Sequence, residues 1–345
     1  MYDFISMLRL IFLLLLPFSI SGQLKRYQFM QNKMGSPFNI IFYSSDSAEA
    51  TKLAIECYLL IDSLNIIFSD YSNSSEVGML ADKPFIQSQN ISDELFEMIL
   101  QSKQAWKKSG KTFDITIGPL SQLWRNTKKV QKDSLGENRF PAKEEIKKVK
   151  QATGFKNLVI NHAEKTISYK KPGMRFDFGG FVKGYAAQKV IDHLKSKSIF
   201  IALADAGGDI AMSESPPGKK GWSIGINLPE QENKRWDQQL ELKNCAVATS
   251  GDVFRYTLHN GKKYSHIIDP RTGYGVTSQR NVTVIAKDGA KADWLATACS
   301  ILPIKKALKL AKKENSALFI AILKNEKIIL YKTENFDQYF QKKAP

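Results

Sequence analysis

Cysteine and histidine are both scarce in this chain of 345 residues, with three of the first and four of the second. Cys57, Cys245 and Cys299 lie far apart and are odd in number, which excludes a disulfide framework, and no C-x-x-C pair offers a zinc site. Cys57 and Cys299 fall in apolar helical patterns, where a thiol behaves as a small hydrophobe. No H-E-x-x-H or His/Cys cluster is present, so zinc hydrolysis has no signature. Without a G-x-S-x-G elbow, a Ser-His-Asp hydrolase has no nucleophile turn. Negative charge is also in deficit: 50 Lys+Arg stand against 34 Asp+Glu, a formal charge of +16. Such an excess favours anionic partners, among them phosphates, nucleic acid and acidic membranes. Acids interleave the basic runs, however, as in AKEEIKKVKQ (Ala142 to Gln151), which is a solvated helical face. No aromatic-and-arginine stripe suits stacking on single-stranded bases, so a nucleic-acid partner is not expected.

Long apolar runs are missing after the N-terminus. There, LIFLLLLPFSI (Leu10 to Ile20) follows a lone Arg9 and exits into Ser21-Gly22. That pattern reads as a secretory signal peptide, and the run is too short to span a bilayer comfortably. Residues 1–22 are therefore expected to be removed, leaving 23–345 as one catalytic-sized domain; Asp3 and Arg9 leave together, so the charge stays at +16. No Cys stands near the exit to carry a lipid anchor. The expected location is the periplasm, free or peripherally associated with the membrane.

The remainder of the chain mixes strands and helices without regular βαβ alternation, so the expected class is α+β. FNIIFYS (Phe38 to Ser44) alternates like a strand, and a long helical pattern runs from Ala48 to Ser69. A loop, DYSNSSEVGML (Asp70 to Leu80), leads to the helix DELFEMILQSKQAWKKSG, with Gly110 placed just beyond its end. FDITIGPLSQLW (Phe113 to Trp124) is expected to start extended and turn helical after Pro119. KNLVINH, TISYK, FIALADAGGDIAM, WSIGI, CAVATSGDVFRYTL, RNVTVIAK, ALFIAIL and KIILYK read as strands. DFGGFVKGYAAQKVIDHL reads as a strand end and Gly-rich turn feeding a helix, and ADWLATACSIL and KKALKLAKK as helices.

Several of these segments can carry chemistry. In DFGGFVKG, free N–H groups at a helix start and the ammonium of Lys183 make an anion site, although such glycines equally serve tight packing. Gly207-Gly208 in ADAGGDI ends an apolar strand and lets a ligand approach the backbone. In ADWLATA, Asp293 and Thr297 stand at i and i+4, so both oxygens point the same way. With a neighbouring carbonyl they suit a hard cation such as Mg²⁺; an Asp in a first turn is also a common helix-end stabiliser. Asp114 and Thr116 are either ligand-binding or the exposed face of a short strand, and Tyr71 is either packing or a plate for a planar ligand. His266 precedes an Asp-Pro-Arg-Thr-Gly turn and is either a base or a hydrogen-bonded loop residue.

In order and combination, MGSPF, DYSNSSE, FDITIGPLSQLW, DFGGFVKGYAAQKV, ADAGGDI, ATSGD, YSHIIDPRTG and ADWLATA resemble the ApbE-like flavin transferases, from about Met34 to Leu302. The resemblance implies a T-fold-like α+β domain. It implies transfer of FMN from FAD to a Thr or Ser hydroxyl of an acceptor protein, with release of AMP. The acceptor it implies is a subunit of a membrane redox complex. A divalent ion, normally Mg²⁺, would sit on Asp293 and Thr297 with carbonyls of Gly180 and Ala296. FAD would be held by Met34, Tyr71, Thr112, Phe113, Asp114, Asp177, Lys183 and Ile267, with Tyr71 against the flavin. Gly207, Gly208 and Asp209 would approach the adenosine half, and His266 would act as general base on the acceptor hydroxyl. Asp205 departs from the Asn that such sequences often carry there. Two other readings use the same site: a Mg²⁺-dependent FAD pyrophosphatase, and a flavin-binding protein without catalysis.

Overall fold

The computed structural model describes residues 23–129, 139–228, 235–251, 256–325 and 327–341. Residues 1–22, expected to be a signal peptide, lie outside them, as does Asp252 of the ATSGD segment. Two long strands open the chain, β1 (Lys25–Lys33) and β2 (Ser36–Ser44). A small sheet is built from β3 (Gln89–Asn90), β4 (Leu158–Asn161) and β5 (Thr166–Tyr169). Next come β6 (Ala202–Asp205), β7 (Ile210–Met212), β8 (Trp222–Asn227), β9 (Arg235–Leu242) and β10 (Cys245–Gly251). The hairpin β11 (Tyr256–His259) and β12 (Lys262–Ser265) precedes β13 (Arg280–Ala286), β14 (Ala317–Lys324) and β15 (Lys327–Lys332).

Eight strands form one antiparallel sheet in the order β1-β2-β6-β7-β10-β13-β14-β15. Its central strands are buried on both faces, which is why they read as unbroken apolar runs. Ile40, Phe42, Ala246, Ala248, Val282, Val284, Leu318 and Ile320 face one core, and Ile41, Val247, Ile285 and Phe319 the other, following the two-residue period of a strand. The first face is covered by helices: α1 (Ser47–Phe68), then α6 (Val182–Ser196) and α7 (Gly289–Ile301). Between α1 and α6 run α2 (Glu76–Ala81), α3 (Asp93–Lys108), α4 (Gly118–Lys129) and α5 (Lys143–Lys150), and α8 (Ile304–Lys313) closes the series. The second face is covered by the β8–β9 hairpin, through Trp222, Ile226, Leu240 and Leu242, and by Phe336 near the C-terminus. A third, smaller core of Leu120, Trp124, Ile146 and Ile268 sits apart from both.

This is the expected α+β class, with some local differences. β1 had no clear signal because it is an edge strand: Tyr27 and Phe29 are half-buried among exposed charged and polar neighbours. The loop after Asp70 contains α2, started by Ser75, whose hydroxyl accepts the Gly78 N–H at 2.9 Å. Only Asp114 is extended in the FDITI segment; Ile115–Ile117 is a 3-10 turn, and α4 begins at Gly118 rather than after Pro119. Among the described residues no helix is long and apolar enough to cross a membrane.

Candidate functional site

Helix α7 is buried on nearly every side, and an ionisable Asp293 stands in its second turn at 5% exposure. A carboxylate there is costly unless something compensates it. Capping the helix is done by another residue: Asp288 accepts the Lys291 N–H at 2.8 Å, which removes the helix-end reading of Asp293. Asp293 instead accepts the Gly184 N–H through Oδ2 at 3.1 Å. Gly184 is the third residue of α6, a helix whose N-terminus has no side-chain cap. The two helices touch backbone to backbone: a Cβ on Gly184 would collide with the Gly289 carbonyl, and one on Gly289 with that of Gly184. These glycines are required by close approach, and the approach puts the positive end of α6 against Asp293. Gly180 serves a second contact, because a Cβ there would lie 2.6 Å from Thr297 Oγ1.

Three carboxylates feel the charge of one lysine, Lys183. Burial raises the Asp293 pKa well above the usual carboxylate range, the charge of Asp209 adds to this, and the Gly184 N–H and Lys183 oppose it. Burial likewise pushes Asp209 up to about 6, against Lys183 and with Asp205. Asp205 is raised by burial too; it accepts the Gly208 N–H at 2.7 Å and feels Lys183. The Gly207-Gly208 turn between β6 and β7 has positive φ at both glycines, and a Cβ on Gly207 would meet Ser36 Oγ at 2.8 Å. Ser36 follows the Met34-Gly35 turn, and Met34 there is half-buried.

A second group gathers at the DFGG turn. Asp177 donates its N–H to the Ile115 carbonyl at 2.7 Å and accepts the Gly179 N–H at 2.8 Å, three residues before Gly180. Its charge reaches Asp70 and Arg125. Asp70 pairs with the Arg125 guanidinium, which lies 4.3 Å from the centroid of the Tyr71 ring. Burial and Asp177 push Asp70 up to about 7, with Arg125 pulling the other way. Tyr71 is 79% exposed, which removes the packing reading of its ring.

Thr112, Phe113 and Asp114 are buried beneath these groups. Thr112 donates its hydroxyl to the Ser109 carbonyl at 3.0 Å, and the Phe113 ring stands 5.9 Å from Phe181 and 6.2 Å from Trp294, the neighbours of Gly180 and Asp293. Asp114 is not on an exposed strand face. Its Oδ1 accepts the Thr116 N–H at 2.9 Å and hydroxyl at 2.6 Å, and Thr116 Oγ1 accepts the Gly154 N–H at 2.6 Å. Burial holds Asp114 up at about 6 against these donors. Its role in the structure is to fix the chain that carries Ile115 to Asp177.

His266 belongs to another element, an exposed position following β12. Ile267 donates its N–H to Ser265 Oγ at 3.1 Å and accepts the Val276 N–H at 2.9 Å. Asp269 folds the turn: its carbonyl accepts the Gly273 N–H at 2.8 Å, and its carboxylate pairs with Arg271. Gly273 has φ +84°, and a Cβ would lie 2.6 Å from Ile146. Trp124 of α4 donates to the Gly273 carbonyl at 2.9 Å. One helix thus contacts both segments, the His266 turn through Trp124 and the Tyr71 loop through Arg125.

Among the described residues no three His, Cys, Asp or Glu side chains gather as a metal cluster. The available donors are one carboxylate, Asp293, the Thr297 hydroxyl and backbone carbonyls, a set for a hard cation that keeps water or phosphate ligands. The Ala296 carbonyl already accepts the Ser300 hydroxyl at 2.9 Å. Asp70 and Arg125 had no signal in the sequence, because an arginine inside a helix belongs to no motif until the fold brings Asp70-Tyr71 against it.

The architecture is an antiparallel sheet with helices on one face, where buried carboxylates and a lysine meet at the start of α6. The model of the ApbE family matches residues 34–320, and the chain belongs to that family. It is 27% identical to the FAD:protein FMN transferase of Vibrio cholerae over 318 residues, 90% of this chain and 91% of that protein. It is also 27% identical to the FAD:protein FMN transferase of Klebsiella pneumoniae over 306 residues, 88% of this chain and 91% of that one. The apo form of the Pseudomonas stutzeri flavinyl transferase ApbE has a TM-score of 0.79 and 28% identity, covering 92% of this chain and 97% of that chain.

Proposed function

We propose that this chain transfers FMN from FAD to a Thr or Ser hydroxyl of an acceptor protein and releases AMP. The observation that carries the reading is Asp293, a carboxylate buried in an apolar helix and set against the start of α6 and Lys183. A binding protein has no need of that costly arrangement, whereas phosphoryl transfer depends on positioning and charge neutralisation.

Asp293 and Thr297 would hold Mg²⁺ with the Gly180 carbonyl, the glycine letting its backbone lie close against the Thr297 side chain. When bound, the ion neutralises charge on the diphosphate and on the departing AMP. Lys183, at the start of α6, orients the diphosphate. Tyr71 takes a ring of FAD, and Met34, Gly207 and Gly208 border the opposite end. The acceptor oxygen forms a bond to the FMN phosphorus as the bond to the AMP oxygen breaks. His266 takes the hydroxyl proton, a contribution of about 10²–10⁴-fold in rate. Export by residues 1–22 would place the reaction in the periplasm, with an acceptor that belongs to a membrane redox complex.

The test uses residues 23–345 with FAD, Mg²⁺ and a flavoprotein subunit bearing a candidate Thr, followed by intact mass. A gain of one FMN less water on the acceptor, abolished by acceptor Thr→Ala, is the expected result. Free FMN and AMP without any adduct would instead make the protein an FAD pyrophosphatase, a second reading that the exposure of His266 to water favours.

A further inference from the structure

We propose that Arg125 is a positioning residue of the flavin-nucleotide site, holding Tyr71 as a rigid plate for one of the planar rings of FAD. The proposal rests on the transferase reading above. Tyr71 is 79% exposed, yet it is not a free side chain, because Arg125 covers one ring face at 4.3 Å. The guanidinium is itself fixed, paired with the nearly buried Asp70 and donating through Nε to the Ser121 carbonyl at 3.3 Å. Below the ring the loop is braced as well: Ser75 donates its hydroxyl to the Ser69 carbonyl at 2.5 Å and to that of Ser72 at 2.8 Å. One face of Tyr71 is therefore occupied by a planar cation while the residue stays largely exposed, and the charge of Asp177, in the turn that leads to Gly180, reaches both Asp70 and Arg125.

A tyrosine in that state is ready for stacking. Its ordering cost is met before ligand arrives, which favours tighter binding without a new ligand contact. Arginine suits the position better than lysine, since its flat fork can stack on the ring and pair with a carboxylate at once. Burial and Asp177 both work against the Asp70 charge, and Arg125 is the cation that opposes them. The same residue thus compensates Asp70 and backs the plate.

Calorimetry in the presence of Mg²⁺ with FAD, FMN and AMP on the wild type, Arg125→Gln, Arg125→Lys and Tyr71→Leu tests this. Arg125→Gln should weaken FAD binding about 3- to 10-fold, with Arg125→Lys recovering part of the loss. In turnover, KM for FAD should rise while kcat moves less than about twofold. Combining Arg125→Gln with Tyr71→Leu should cost less than the sum of the two, because both remove one plate. An accompanying loss for FMN identifies the isoalloxazine as the stacked ring, and a loss for AMP identifies the adenine; either supports the proposal. Arg125→Gln leaves Asp70 without its partner, so the pair Asp70→Asn with Arg125→Gln repeats the measurement in a balanced background. Wild-type affinity in both Arg125 backgrounds, alongside weakened Tyr71→Leu, would overturn it, as would strictly additive losses. A wild type that binds none of the three ligands would overturn the transferase reading as well.

Discussion

Asp293 and Asp114 are both buried carboxylates, and they differ in what surrounds them. Asp114 is answered by Thr116, whereas Asp293 has a glycine N–H, the opposing charge of Lys183 and the like charge of Asp209. Asp293→Asn should therefore melt at the same temperature as wild type or higher without added cation. It should also lose any Mg²⁺-dependent rise in Tm and about 10²-fold or more in transfer rate. An equal Mg²⁺ response in the variant would remove Asp293 from the ion. Asp114 gives a pH test. Its folded pKa of about 6 lies above the usual value of about 3.9, so its stabilising effect is complete below pH 4 and fades as pH rises to 6. The stability deficit of Asp114→Asn should thus shrink across that range, by at most about 3 kcal/mol, when urea melts at pH 4, 5, 6 and 7 are compared. A deficit that does not change with pH would mean that folding leaves the Asp114 pKa where it is in the unfolded chain.

At the scale of elements, two glycines govern how α6 meets α7, and one aromatic governs the His266 turn. Gly184→Ala forces the helix backbones apart and should destabilise the protein by about 1–3 kcal/mol or more, read by thermal melting. Gly180→Ala presses on Thr297 Oγ1 from 2.6 Å and should lower activity with a smaller change in Tm. Trp124→Phe removes the donor to Gly273, and its kinetics should show kcat falling more than affinity for FAD. Element types were mostly legible in the sequence, because the central strands and long helices carry strong periodicity. The 3-10 turn at Ile115–Ile117 was not, since its conformation is set by the Asp114–Thr116–Gly154 bonds between distant segments. The i, i+4 spacing does place Asp293 and Thr297 on one helix, α7, while Asp70 and Arg125 come together only through tertiary contact across 55 positions.

The whole molecule separates work from support. Helices cover the sheet face that bears the site, and the β8–β9 hairpin with Phe336 covers the other. Phe336 is fully buried, 5.2 Å from the Phe319 ring, so Phe336→Ala should cost about 3–5 kcal/mol in urea melts. Its affinity for FAD at a temperature where the variant is folded should stay within about twofold of wild type, and a larger change would mean the two faces are coupled. The charge of +16 belongs to the surface as a whole, yet around Lys183 the balance is reversed. Asp205, Asp209 and Asp293 there would repel the diphosphate of a nucleotide arriving alone. Cation and nucleotide are consequently expected to recruit one another, each tightening the other by the same factor. Titrated without Mg²⁺, FAD should bind weakly, and titrated without FAD, so should the ion.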